Sequence, residues 1–379
     1  MNGDANQIKH RLSMGLNYLK LGENQKALNL FEQILKTDPD NIPALSGKIK
    51  VISQSETDEK KQELINNLDS ILRKKAHNVV FPKHNPYQTI ISFLQTTDSG
   101  ESLNKNDYLY KLSPSLLRLK DAFKSPEVPD IDEEYNEREL QKAYLVRYFP
   151  FYIETIYREL GALDPAQIFN EPDLQFSVCL YGCGPCPEYL GILRFVTDYL
   201  PDMNQLDVYF FEKYDWDWIR DGYTLCQKSE YSTKKSLKCN FHSYPVDVLS
   251  FDNGDILKRY QVIGAANIHV FQNCLRDLVK AASSYDSLYR LFENILEEMA
   301  YGSLLVITDL RYSKTRFFLE RFITDIEKDM KGIVLKASLD NPEYRPNFYP
   351  DPEFTEFVKQ NPSQRKTWSR YYSVIIMKI

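Results

Sequence analysis

From residue 175 to the C-terminus, apolar runs of strand length alternate with helical patterns, and that alternation leaves few folds open. The runs fall at 176–181, 206–212, 261–267, 303–309, 332–337 and 371–378, with a weaker one at 241–248. Helical patterns lie between most of them, notably at 187–200 and 285–300. Strands separated by helices return parallel to one another, so the pattern predicts an α/β sheet of about seven strands with helices on both faces. The C-terminus itself supplies the last strand.

The turn after the first run is the most informative stretch of this half. It reads Gly182-Cys183-Gly184-Pro185-Cys186 and leads directly into a helical pattern. In a doubly wound sheet, ligands sit outside the carboxyl ends of the strands, where the strand order reverses. Gly182 and Gly184 let the backbone approach such a ligand closely. An acid closing the second strand accepts hydrogen bonds from ribose hydroxyls, and Glu212 closes the run 206–212. The cysteines allow another reading. Cys183 and Cys186 have dithiol spacing at a helix N-terminus, where backbone donors and the dipole lower a thiol pKa. This thiol–disulfide reading leaves Glu212 and the later strands without a role. Small apolar packing in a tight turn is a third reading of both cysteines.

Taken together, residues 165–379 resemble the class I S-adenosylmethionine-dependent methyltransferases. Gly182-Cys183-Gly184 looks like the family's first motif, and Glu212 like its ribose-binding acid. Asp247, in Tyr244-Pro-Val-Asp-Val-Leu, looks like the residue after the third strand that lies near the adenine. The resemblance implies S-adenosylmethionine as cofactor and a Rossmann-like mixed sheet, with fourth and fifth strands at 260–267 and 303–309. The antiparallel pair 332–338 and 371–378 would end the chain. Asn267, closing the implied fourth strand, joins the expected cofactor-binding set. Leu180 stands where the family often has an acid, and Cys186, followed by Pro187 and Glu188, where it has a third small residue. Glu188 is therefore the candidate for the methionyl amine.

No Asn-Pro-Pro-Tyr-like sequence follows the implied fourth strand, so the base-amino signature is absent. The expected methyl acceptor is a protein or a small molecule. His269, Asp309, Arg311 and Tyr344 are weaker substrate-binding candidates. His269 reads equally as a satisfied structural histidine, and Asp309 with Arg311 as a loop ion pair. No residue is singled out as catalytic, because methyl transfer depends mostly on positioning and in-line alignment. The proline-rich, aromatic stretch 340–370 has the length of a lid or binding loop.

The N-terminal third follows another rule. Over 8–41, Gly15, Tyr18, Ala27, Phe31 and Pro39 fall at the offsets of a tetratricopeptide repeat, which this stretch resembles. A second, divergent repeat begins near Ile42, and helical patterns at 57–75, 86–96 and 107–123 supply further layers. This region reads as a groove for a protein or peptide partner, or as a helical cap on the rest of the chain. The acidic, proline-bearing segment 125–134 reads as a linker, and 140–160 as two helical pieces broken near Pro150. The expected architecture is thus multidomain: an all-α region at 1–124, a linker with connecting helices at 125–164, and the α/β domain at 165–379.

The net charge of −6 argues against bulk electrostatic binding to nucleic acid or anionic membrane. Lys234, Lys235 and Lys238 form a local basic run that reads as a solvated loop. The five histidines are too dispersed to suggest a metal site, and six cysteines in 379 residues form no disulfide framework. No apolar run reaches the ~18 residues of a membrane span, and the N-terminus lacks a signal-peptide pattern. Those features predict a reduced, cytoplasmic protein. Besides the enzyme, a helical-repeat scaffold with a degenerate methyltransferase-like domain fits the altered glycine motif.

Overall fold

The computed structural model describes residues 2–53, 58–79, 86–97, 104–122, 137–169, 174–214, 217–228, 237–329, 331–339, 343–344 and 369–379. Its centre is a mixed sheet built from β1 (Gln175–Tyr181), β2 (Gln205–Phe211), β3 (Lys238–Tyr244), β4 (Ile268–Gln272), β5 (Leu304–Leu310), β6 (Gly332–Ser338) and β8 (Ser369–Lys378). The short β7 (Glu343–Tyr344) pairs antiparallel with β8. The strand order is β3-β2-β1-β4-β5-β8-β6. β8 runs antiparallel to both its neighbours, and the other pairs among β1 to β5 are parallel. The α/β Rossmann-like sheet expected from the alternation is therefore present. β8 is inserted between β5 and β6.

One strand lies elsewhere than the sequence pattern placed it. The apolar run 261–267 forms a short 3₁₀ turn over Gln261–Gly264, and β4 follows at Ile268–Gln272. Apolarity alone misplaced it. All five residues of β4 are buried, including the polar His269 and Gln272, so the interruption of apolar character does not mark the end of the strand. His269 is satisfied there in part, its Nδ1 sharing a 2.9 Å hydrogen bond with the Tyr181 phenol.

Helices cover both faces. On one face, Tyr285–Glu298 and Ser313–Asp329 pack on aromatic side chains, among them Phe271, Phe292 and Phe318. On the other, Pro187–Tyr199 packs against Phe149–Gly161. A Cβ on Gly191 would come within 2.2 Å of the Ile153 carbonyl oxygen, so glycine is what allows these helices to approach so closely. Arg138–Arg147 and Phe149–Gly161 are separate helices, with Pro150 in the first turn of the second, where its missing N–H breaks no bond.

The same core continues into the N-terminal helices. Asn2–Lys20, Asn24–Thr37 and Ile42–Ile52 pack in succession. Fully buried Phe31 fills the space between Gly15 and Gly47. Asn41 caps the third of these helices by accepting from the Ala44 N–H at 3.0 Å. Their apolar side chains and those of β1, β2 and β6 belong to one buried cluster. One polar tie crosses this junction, and a second joins the helix Phe149–Gly161 to β6 and β8. The Lys50 ammonium donates to the Ile326 and Gly332 carbonyls. Buried Glu159 accepts from Lys336 at 2.6 Å, from the Tyr371 hydroxyl at 2.9 Å and from the Ser373 hydroxyl. Burial alone would raise the Glu159 pKa; Lys336 and the two hydroxyls hold it below the usual carboxylate value.

The linker 125–134 and Lys234 and Lys235 of the basic run lie outside the described residues. So does nearly all of 340–370; of that stretch, only the backbone of 343–344 and 369–370 is described. Among the described residues, no helix is long and apolar enough to cross a membrane.

Candidate active site

The strand order reverses between β1 and β4, and a cavity of about 370 Å³ opens at the carboxyl ends of the strands there. This is where an open α/β sheet binds its ligands. The turn after β1 forms one wall. Gly182 and Gly184 both have positive φ, +56° and +50°, which a side chain would strain. Cys186, at φ 59°, takes the same left-handed conformation just before the helix Pro187–Tyr199.

Glu212 follows β2 and is turned back onto this glycine turn. Its carboxylate accepts from the Gly184 N–H at 3.0 Å and the Tyr214 N–H at 3.2 Å. Burial raises its pKa, and the backbone donors oppose the rise. Asp247 follows β3 at the more exposed rim, where it accepts from the Leu249 N–H at 3.0 Å. Glu188 is buried in the first turn of the helix and lines the cavity, with its Oε2 unpartnered. Burial, reinforced by the charge of Glu212, pushes its pKa up to about 8.

The opposite wall comes from the ends of β4 and β5 and from the helices preceding β1. Gln272 donates through Nε2 to the Tyr152 carbonyl at 3.0 Å, which ties the helix Phe149–Gly161 to β4. Its Oε1, the Nδ2 of Asn273 and the Nη2 of Arg276 are buried without partners. Asp309 accepts from the Arg276 N–H at 2.7 Å and from the Leu310 N–H at 2.6 Å. Burial pushes Asp309 up to about 7 against those donors. Tyr144, Tyr152 and Tyr312 complete this side.

Of the residues picked out in the sequence, Gly182, Cys183, Gly184, Glu188, Glu212, Asp247 and Asp309 all line the one cavity. Asn267 does not. It precedes β4, at the amino-terminal edge, where its side chain accepts from the Ser177 N–H at 2.8 Å. His269 is a core residue inside β4, and burial lowers its pKa to about 3. Both misplacements follow from the displaced strand. Arg311 is exposed beside the cavity rather than paired with Asp309. Tyr344 lies in β7, and its side chain is outside the described part of the structure.

Gln272, Asn273, Arg276, Tyr144, Tyr152 and Tyr312 had no signal in the sequence. A correct β4 register would have pointed to the first three as the residues beyond its carboxyl end. The burial of the two cysteines weighs against the thiol–disulfide reading. Cys183 and Cys186 are buried, and burial pushes both thiols up, opposite to what an attacking thiolate requires. Among the described residues, no cluster of three His, Cys, Asp or Glu side chains could hold a metal ion.

No family model matches the chain, and no curated protein matches it by sequence. Solved structures give faint likenesses. The DszA carbon methyltransferase is 12% identical with a TM-score of 0.33, covering 84% of this chain and 70% of that one. A putative class I S-adenosylmethionine-dependent methyltransferase from Listeria monocytogenes is 11% identical with a TM-score of 0.32, covering 83% and 88%. Human N-acetylserotonin methyltransferase, solved with its cofactor, is 10% identical with a TM-score of 0.29, covering 96% and 97%. Likenesses this faint carry no weight against the sheet order and the cavity themselves. Those establish a Rossmann-like α/β protein with a ligand-sized site at its topological switch point.

Proposed function

We propose that the cavity binds S-adenosylmethionine and that the protein transfers its methyl group to a protein or small-molecule acceptor. The observation that carries this reading is the convergence of the Gly182–Gly184 turn, Glu212 and Asp247 on one cavity at the β1–β4 reversal. In this reading the turn meets the methionyl portion, Glu212 takes the ribose hydroxyls and Asp247 lies near the adenine. Leu180 is fully buried in the core, so the methionyl ammonium falls to Glu188, whose unpartnered Oε2 lies in the same wall.

The acceptor, held over the ends of β4 and β5, attacks the methyl carbon as the carbon–sulfur bond breaks. The sulfonium leaves as a neutral thioether, and an acceptor that carried a proton on its nucleophile loses it. The protein's contribution is alignment and exclusion of water. The helices of residues 2–122 would dock a protein partner.

Calorimetry of the full chain with S-adenosylmethionine and its demethylated product tests the reading. Micromolar binding is expected, on the order of −8 kcal/mol; absence of heat with either compound removes it. A cofactor-binding scaffold without catalysis is the second reading, favoured by Cys186 in place of the third small residue. Methyl transfer to any co-purified molecule would eliminate that alternative.

A further inference from the structure

We infer that the β4–β5 side of the cavity is a subsite for an acceptor carrying a carboxylate on a flat apolar body, with Arg276 and Asn273 as its anchor. The inference rests on the cofactor reading of the opposite side and deepens it to an acceptor class.

The strand order separates the two sides. Residues after β2 and β3 lie on one side of the reversal, and residues after β4 and β5 on the other. On the β4–β5 side, two buried donor atoms lack acceptors, Nη2 of Arg276 and Nδ2 of Asn273, and both residues line the cavity. The Arg276 side chain is held in place, its guanidinium carbon 4.0 Å from the centroid of the Tyr312 ring. Arg276 is 9% exposed, so water offers this cation little compensation.

Asp309 and Asp277 attract this cation through space, but neither forms an ion pair with it. Both carboxylate oxygens of Asp309 are engaged by backbone N–H groups, those of Arg276 and Leu310. Among the described residues, no carboxylate lies within ion-pair distance of the guanidinium. A buried guanidinium N–H without an acceptor is costly, and a buried amide donor without one adds to that cost. A carboxylate satisfies both donors, because its two oxygens match the guanidinium fork and the amide. An ammonium ligand has no acceptor and would leave both donors unsatisfied. Tyr144 and Tyr152, on the helices that close this side, supply aromatic walls for a flat body.

The test is ligand-observed NMR titration of the full chain with benzoate, benzylamine and benzyl alcohol, with and without saturating S-adenosylhomocysteine. Benzoate is expected to bind at least about tenfold more tightly than the other two, the gain of one charge-assisted pair. Arg276→Gln should bring benzoate down to the level of benzyl alcohol while calorimetric binding of S-adenosylhomocysteine stays within about twofold, the size of a surface-scale perturbation. Asn273→Gly keeps the left-handed backbone and removes only the amide; it should weaken benzoate about three- to tenfold. That variant carries the test should Arg276→Gln fail to fold.

Benzoate binding no tighter than benzylamine, or unchanged in the variants, overturns the inference. Loss of S-adenosylhomocysteine binding in the native chain instead sinks the cofactor reading. The titrations without it still report on the carboxylate subsite by itself.

Discussion

The two sides of the cavity differ in how far their polar groups are satisfied by the protein. On the β1–β3 side, Glu212 is held by two backbone N–H groups and Asp247 by one. The exception there is Glu188. On the β4–β5 side, Gln272, Asn273 and Arg276 each leave a buried polar atom unpartnered. A wall satisfied internally is a rigid frame that already has its shape. A wall with unmet donors and acceptors is costly to keep dry unless a ligand supplies the missing partners. The contrast separates a side that shapes its ligand site through backbone from a side that selects by side chain.

The largest effect should come from breaking the backbone frame. Gly184→Arg forces a bulky residue into a left-handed conformation at the cavity wall. Strain of about 1–3 kcal/mol plus the occupied volume should abolish S-adenosylmethionine binding in calorimetry. Retained micromolar binding would show that the turn does not meet the ligand.

Next comes Glu212→Ala, which removes the carboxylate facing the turn. A charged hydrogen bond of about 1.5–3 kcal/mol predicts a loss of cofactor affinity of roughly ten- to a hundredfold. The β4–β5 wall should keep its affinity for benzoate in that variant. Parallel loss on both sides would show that they are not separate.

The smallest and most diagnostic effect concerns protons. Glu188, raised to about 8, and Asp309, raised to about 7, hold protons in the folded state that an unfolded chain would release near pH 4–5. Their contribution to stability is therefore complete below pH 4 and is lost as pH rises towards 8. Melting temperatures of Glu188→Gln and Asp309→Asn should fall less over that range than those of the native chain. Cofactor binding at pH 7 should release protons in the native chain, as the methionyl ammonium draws Glu188 into its charged form. Calorimetry in buffers of different ionisation enthalpy should show that release vanish in Glu188→Gln and persist in Asp309→Asn.

The legibility of these two walls in the sequence follows the same division. Gly182, Gly184 and Glu212 were readable because their chemistry is local: a turn that requires positive φ, and an acid at a strand end. Asp247 was readable from its place after the third strand. β4 was not, since its buried His269 interrupts the apolar pattern and its side-chain partner Tyr181 lies 88 residues earlier. With β4 displaced, Asn267 and His269 were assigned to a cavity that Gln272, Asn273 and Arg276 actually line. Tyr144 and Tyr152 had no readable signal, because nothing near them in the chain indicates that their helices reach the ends of β4 and β5.

By itself the sequence determined the α/β sheet, the helical N-terminal region and the glycine turn, because each rests on periodicity or local backbone requirements. Only the tertiary structure decided where β4 begins, that Leu180 faces the core while Glu188 faces the cavity, and which side chains form the β4–β5 wall. Those outcomes depend on pairings between distant residues, such as Gln272 with the Tyr152 carbonyl and Asp309 with the Arg276 N–H. Such pairings have no period, so they leave no pattern along the chain.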